Sequence, residues 1–209
     1  MEIDNWYEII NTNINPVKKL FKQYYNFGEV VDVGANVGAF TDFVHINYSK
    51  LKIHLFEPAP KFNKFLYNKY KNINQIIVNT VGLSNEIRSA YMHCDNHNLG
   101  YNRVIEDSSL HPIQLITFDS YCEKNNLTNI GFIKIDVEEH EPYVLDGMKG
   151  YISSASKLPF IVMEHLWEGA QKDLNYYEEI FNWYFNYYEP FDFKSYKQTS
   201  DIVLIPKDK

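Results

Sequence analysis

The residues of this chain that could do chemistry gather in three short blocks. Lys134-Ile-Asp-Val-Glu-Glu-His140 ends an apolar stretch on Asp136, Glu138 and His140, and Leu158-Pro-Phe-Ile-Val-Met-Glu-His165 ends another on Glu164 and His165. Carboxylates and imidazoles at the tips of buried strands can accept a proton or hold a cation. The third block is Glu29-Val-Val-Asp-Val-Gly-Ala-Asn-Val-Gly-Ala-Phe-Thr41, an apolar run carrying Asp32, then Gly34 and Gly38, then apolar residues at helical spacing. It reads as strand, tight turn and helix, the nucleotide-binding start of an open α/β sheet. Glycines there let the backbone turn sharply and a ligand approach it closely. The spacing is G-x-x-x-G, with Asn36 where a pyrophosphate loop has its middle glycine, and Asp32 repels a phosphate but suits an ammonium group. The implied guest is an amino-acid-bearing nucleoside, which points to S-adenosylmethionine.

These groups need elements to position them, and the pattern supplies them. Lys52-Ile-His-Leu-Phe-Glu57 is a second buried strand that ends on an acid about twenty residues after the turn, where a carboxylate grips a ribose diol. Phe40, Phe43, Val44 and Tyr48, and later Phe62, Phe65, Leu66 and Tyr70, recur at helical spacing as core-facing stripes. Gln75 to Val81 is a third strand, and the loop Gly82-Leu-Ser-Asn85 borders the adenine. Residues 86–116 read as an antiparallel hairpin beside the sheet, with His97-Asn-Leu-Gly100 between its strands. His93, Cys94, Asp95 and His97 are too crowded for a tetrahedral metal site. Thr117 to Asn125 reads as helix, Asn129 to Asp136 as the fourth strand, and Leu158 to His165 as the next. Leu174 to Tyr188 reads as an aromatic helix, suited to core packing, to stacking on sugars or to a subunit interface. Asp201 to Pro206 is the last strand. Ahead of all this, residues 1–28 form two helical patterns parted by Pro16, a cap that either lids the cofactor site or covers the sheet edge.

Composition narrows the class. A chain of 209 residues can bury a full core in one domain, here 29–209 behind the cap. Net charge −7 and only two arginines, Arg88 and Arg103, argue against a surface that tracks nucleic acid. Two cysteines distant in sequence, Cys94 and Cys122, suggest free thiols in a reducing compartment. With no signal peptide or membrane-length apolar run visible, a soluble, cytoplasmic protein is expected.

Val31-Asp-Val-Gly-Ala-Asn-Val-Gly-Ala-Phe-Thr41, Phe56-Glu-Pro58, Val81-Gly-Leu-Ser84 and Lys134-Ile-Asp-Val-Glu138, followed by Glu141 and Val144-Leu145, resemble the FkbM family of S-adenosylmethionine-dependent methyltransferases. The resemblance runs in order from about residue 29 to 165. It implies a Rossmann-like class I α/β fold: a seven-stranded, mainly parallel sheet with its last strand antiparallel and helices on both faces. It implies cofactor contacts from Asp32, Gly34, Asn36, Gly38, Glu57, Leu83 and Ser84, with Asp136 close to the reacting methyl. Transfer to an oxygen is usual in that family. So is glycine after the Val-Glu pair, where this chain has Glu139.

The mechanism expected is in-line displacement helped by a base. Asp136, His140 and His165 are the candidate catalytic groups, with Glu138 and Glu164 orienting them. A divalent metal on Asp136, Glu138 and Glu164 is the rival arrangement. Glu139 and Glu141 suit the dipole of a helix that Pro142 begins. The acceptor expected is a small-molecule or carbohydrate hydroxyl, with no nucleic-acid partner. The alternatives are a SAM-binding scaffold without turnover and an NAD-dependent oxidoreductase, the latter opposed by Asn36.

Overall fold

The computed structural model describes residues 3–94, 102–105, 107–165, 174–191 and 200–207. Strands β1 (Glu29–Val33), β2 (Ile53–Phe56), β3 (Ile76–Asn79), β8 (Ile130–Ile135), β9 (Phe160–His165), β10 (Tyr188–Phe191) and β11 (Ser200–Pro206) form a seven-stranded sheet in the order β10-β11-β9-β8-β1-β2-β3. Only β11 runs against its neighbours, pairing antiparallel with both β10 and β9. The central strands read as near-continuous apolar runs because both faces are covered; every residue of β8 is buried.

Alternation along each strand splits the core in two. Val31, Val33, Ile133 and Ile135 face α5 (Phe118–Asn125), α6 (Glu141–Asp146), α7 (Lys149–Ser154) and α8 (Leu174–Tyr184). Val30, Ile53, Leu55 and Phe132 face α1 (Ile3–Asn13), α2 (Asn15–Tyr24), α3 (Ala39–Asn47) and α4 (Pro60–Tyr70). Phe21 of α2 is wholly buried among Phe40, Tyr48 and Phe132. Pro16 falls in the first turn of α2, where its missing N–H costs nothing.

Three boundaries differ from the sequence reading. Gly82–Leu83 is a short strand, β4, and residues 86–116 hold more than a hairpin: β5 (Arg88–Cys94), β6 (Asn102–Ile105) and β7 (His111–Ile116) join β4 in a second sheet of order β4-β7-β5-β6. The β4–β7 pairing is parallel and links residues some thirty apart, so no local turn signal marks it. The hairpin turn His97–Gly100 lies outside the described residues, as does Asp95. The aromatic helix stops at Tyr184, where short 184–187 turn bonds take over, and Tyr188 opens β10 with Pro190 on that edge strand. Its Tyr177, Phe181 and Tyr184 are core residues. Cys94 and Cys122 are free thiols. Among the described residues, no helix is long and apolar enough to cross a membrane.

Candidate active site

The chain leaves β1 toward β2 and β3 on one side, and later leaves β8 toward β9 on the other. The carboxyl ends of β1 and β8 are therefore the switch point of the sheet, where the crevice of an open α/β fold lies. Gly34 turns the chain there at φ 74, and a Cβ on it would sit 1.8 Å from the Asp136 carbonyl oxygen. The glycine is thus demanded by the neighbouring strand's backbone, rather than by ligand approach alone. Asn36 also takes a left-handed φ of 52. Its N–H donates to Glu57 Oε2 at 2.8 Å, and Ala59 N–H donates to Glu57 Oε1 at 2.8 Å. Burial lifts the Glu57 carboxyl to about 7 against the pull of those two N–H groups. Each carboxylate oxygen keeps a further lone pair for a donor in the crevice.

Beneath the turn lies a group to which the sequence reading gave no role. Lys134 is buried, donates to the Gly34 carbonyl at 2.8 Å, and stands 3.2 Å from Asp32 Oδ1 and 3.4 Å from Asp136 Oδ2. Burial opposes its charge, but the two carboxylates prevail and hold the ammonium above an ordinary lysine. Asp32, fully buried, also accepts from Thr41 Oγ1 at 2.8 Å. The negative charge expected beside the turn is therefore spent on Lys134, and Asp32 does not line the crevice.

Past β8 the chain makes two successive left-handed residues, Glu138 at φ 52 and Glu139 at φ 76. Each costs a side-chain-bearing residue about 1–2 kcal/mol. Glu138 turns into the crevice, where single oxygens of Asp136, Glu138 and Glu164 all lie within 4.8 Å of one another. Burial, Asp136 and Glu141 together push the Glu138 carboxyl up to about 8, with Arg103 pulling the other way. Such a trio of oxygens suits a divalent cation or a single shared proton. Glu139 instead meets Arg103 Nη1 at 2.7 Å, and Glu141 turns back to accept from Val137 N–H at 3.0 Å. Both side chains are thus engaged in contacts within the protein: Glu139 in an ion pair and Glu141 in a hydrogen bond to the backbone.

His140 is buried, its Nε2 is 3.0 Å from Ser84 Oγ, and its ring stacks on Tyr143. Burial, helped by the charge of Arg88, lowers it to about 4. It is neutral near pH 7 and a weak proton acceptor. His165 ends β9, and its side chain lies outside the described residues.

A cavity of about 340 Å³ joins these parts, within the size range of small-molecule sites. Of the expected residues, Gly34, Asn36, Glu57, Leu83, Asp136 and His140 line it, as do Glu138 and Glu164; Asp32, Gly38 and Ser84 stand behind its wall. Helix α1 contributes Trp6 and Ile10, the residue between α1 and α2 contributes Ile14, and Trp6 Nε1 donates to Asn36 Oδ1 at 3.1 Å. The second sheet contributes Met92, Asn102 and Val104. The sequence reading gave none of these three a role in the site; the period-2 spacing of Asn102 and Val104 on a strand is consistent with their sharing a face.

A family described as the methyltransferase FkbM domain matches residues 32–189. No curated protein matches the chain. Among solved structures, an rRNA methylase from Streptococcus thermophilus is similar in fold at 10% identity and TM-score 0.51, over 94% of this chain and 96% of that one. A Streptococcus mutans protein in complex with S-adenosylhomocysteine gives 10% identity and TM-score 0.50, over 91% and 94%.

Proposed function

The chain belongs to the FkbM methyltransferase family, whose cofactor is S-adenosylmethionine, and on that premise we propose that it methylates a hydroxyl oxygen of a sugar or small metabolite. One observation carries the reading: a single cavity runs from the Gly34 turn and Glu57 to the carboxyls of Asp136, Glu138 and Glu164. The residues fit the cofactor. Glu57 offers free lone pairs to a ribose diol, Leu83 an apolar surface to a base, and Asp136 a negative charge to a sulfonium.

A sulfonium-bound methyl is already activated for displacement, so the protein must align the acceptor and exclude water. Trp6, Ile10 and Ile14 line the cavity and give it apolar surface that disfavours water. Glu138 takes the hydroxyl proton as the oxygen–carbon bond forms and the carbon–sulfur bond breaks. With its proton affinity lifted to about 8, it is a stronger base than His140 at about 4. Asp136, anchored by Lys134, and Glu164 orient the acceptor. His165 remains the second candidate base.

The test is calorimetric titration with S-adenosylmethionine, S-adenosylhomocysteine and NAD, then a screen of hydroxylated acceptors. Binding of the two adenosyl ligands and not NAD supports the reading. Binding of NAD alone, or of none of the three, overturns it. Adenosyl binding without any methylated product would instead support a scaffold on the same fold.

A further inference from the structure

Glu138 and Glu139 are adjacent, both left-handed, and their side chains part company: Glu138 lines the cavity, whereas Glu139 leaves it and meets Arg103. A left-handed backbone at two consecutive side-chain-bearing residues is uphill, and it persists only where the surroundings hold it. Arg103 of the second sheet supplies a holding contact. Arg103 lies on β6 between Asn102 and Val104, both of which line the cavity, and strand alternation turns Arg103 away from it toward the loop after β8. Its Nη1 reaches Glu139 Oε1 at 2.7 Å, with the Glu139 side chain only 16% exposed. A planar guanidinium fixes a carboxylate in direction as well as distance.

We propose that the Arg103–Glu139 ion pair is a positioning device, which holds residues 137–140 in their left-handed course and so keeps the Glu138 carboxyl at the reacting centre. The proposal rests on the methyltransferase reading. Arg103 is a positioning residue that acts through Glu139; it is not among the residues that line the cavity.

The predicted consequence is read without any acceptor, from how much more tightly the protein binds S-adenosylmethionine, a sulfonium cation, than neutral S-adenosylhomocysteine. At about pH 9.5, where the Glu138 carboxyl is ionised, a carboxylate that faces the sulfonium favours the cation, so losing its position should cost roughly tenfold in that ratio. Arg103→Ala should lower the ratio about tenfold by calorimetry while S-adenosylhomocysteine affinity stays within about twofold. Arg103 also favours the ionised Glu138 carboxyl, but at about pH 9.5 that carboxyl stays charged, and simple charge removal then predicts the opposite sign, since deleting a cation beside the site strengthens binding of another cation. Glycine takes φ 76 without a holding contact. Glu139→Gly, alone or combined with Arg103→Ala, should therefore keep the wild-type ratio.

A raised or unchanged ratio in Arg103→Ala overturns the proposal, and so does an equal loss in the double variant, which would mean that Arg103 acts elsewhere. Should Arg103→Ala fail to fold, Glu139→Gly decides alone: a lowered ratio overturns the proposal and a preserved one supports it. Binding of neither adenosyl ligand by the wild-type protein overturns the cofactor assignment, and this proposal with it; a wild-type ratio with altered variants tests the positioning alone.

Discussion

Lys134 Nζ stands 3.2 Å from Asp32 Oδ1, and both side chains are buried beneath the turn at Gly34. The pair joins the ends of β1 and β8, because Asp32 and Lys134 are direct partners in that parallel ladder. Removing one member of a buried pair strands the other, which costs about 3–5 kcal/mol. Lys134→Met should lose that much by urea unfolding, and adding Asp32→Asn should recover part of it.

Glu141 makes the fold sensitive to alkali. Its carboxyl titrates at 4.5 in a free state and at about 8 here, through burial. Between those values the folded protein holds a proton that the unfolded chain has released, so stability falls as pH rises. Glu57, at about 7, and Glu138, at about 8, act in the same direction. His140, lowered from 6.5 to about 4, acts the other way, its contribution being lost as pH falls through that window. Melting temperature of the ligand-free protein should drop from about pH 6 to about pH 8. Glu141→Gln, which keeps an acceptor for Val137 N–H, should flatten part of that drop and gain roughly 2–3 kcal/mol at the upper end.

Glu57→Ala should weaken both adenosyl ligands roughly ten- to hundredfold, since it removes charge-assisted hydrogen bonds and frees the Asn36 and Ala59 N–H groups. Titration of each ligand checks this. Unchanged affinity would remove Glu57 from the cofactor site.

Glu138→Gln should cut turnover on an acceptor found by the screen about a hundredfold or more, with cofactor binding kept. Wild-type kcat/KM should rise with pH through about 8 as the Glu138 carboxyl ionises. His140→Gln should have a small effect on turnover. A large loss in His140→Gln or in His165→Ala, with Glu138→Gln active, would move the base to that histidine.

Chelation addresses the rival role of the same carboxyls. Asp136 is already neutralised in part by Lys134 at 3.4 Å, which weakens the trio as a cation site. Turnover is expected to survive exhaustive chelation and to be unaffected by added Mg²⁺. Loss on chelation, restored by the metal, would assign the carboxyls to a bound cation.

The α/β class, the positions of the central strands along the chain and the residues at the two ends of the candidate cavity were legible in the sequence. Apolar runs, helical stripes, glycine spacing and strand-tip acids are local patterns, and the physics behind them acts over a few residues. The glycine turn, Glu57 and Asp136 could therefore be placed before the fold was known. Contacts between distant segments could not. The parallel pairing of β4 with β7, the Trp6–Asn36 hydrogen bond and the Arg103–Glu139 ion pair span from about thirty to thirty-six residues and leave no periodic trace. Tertiary structure alone decided that Asp32 answers Lys134 and stands behind the cavity wall, and that burial weakens His140 as a base while strengthening Glu138. Desolvation and charge pairing depend on what surrounds a group in space, and a carboxylate or imidazole carries no mark of that in the chain.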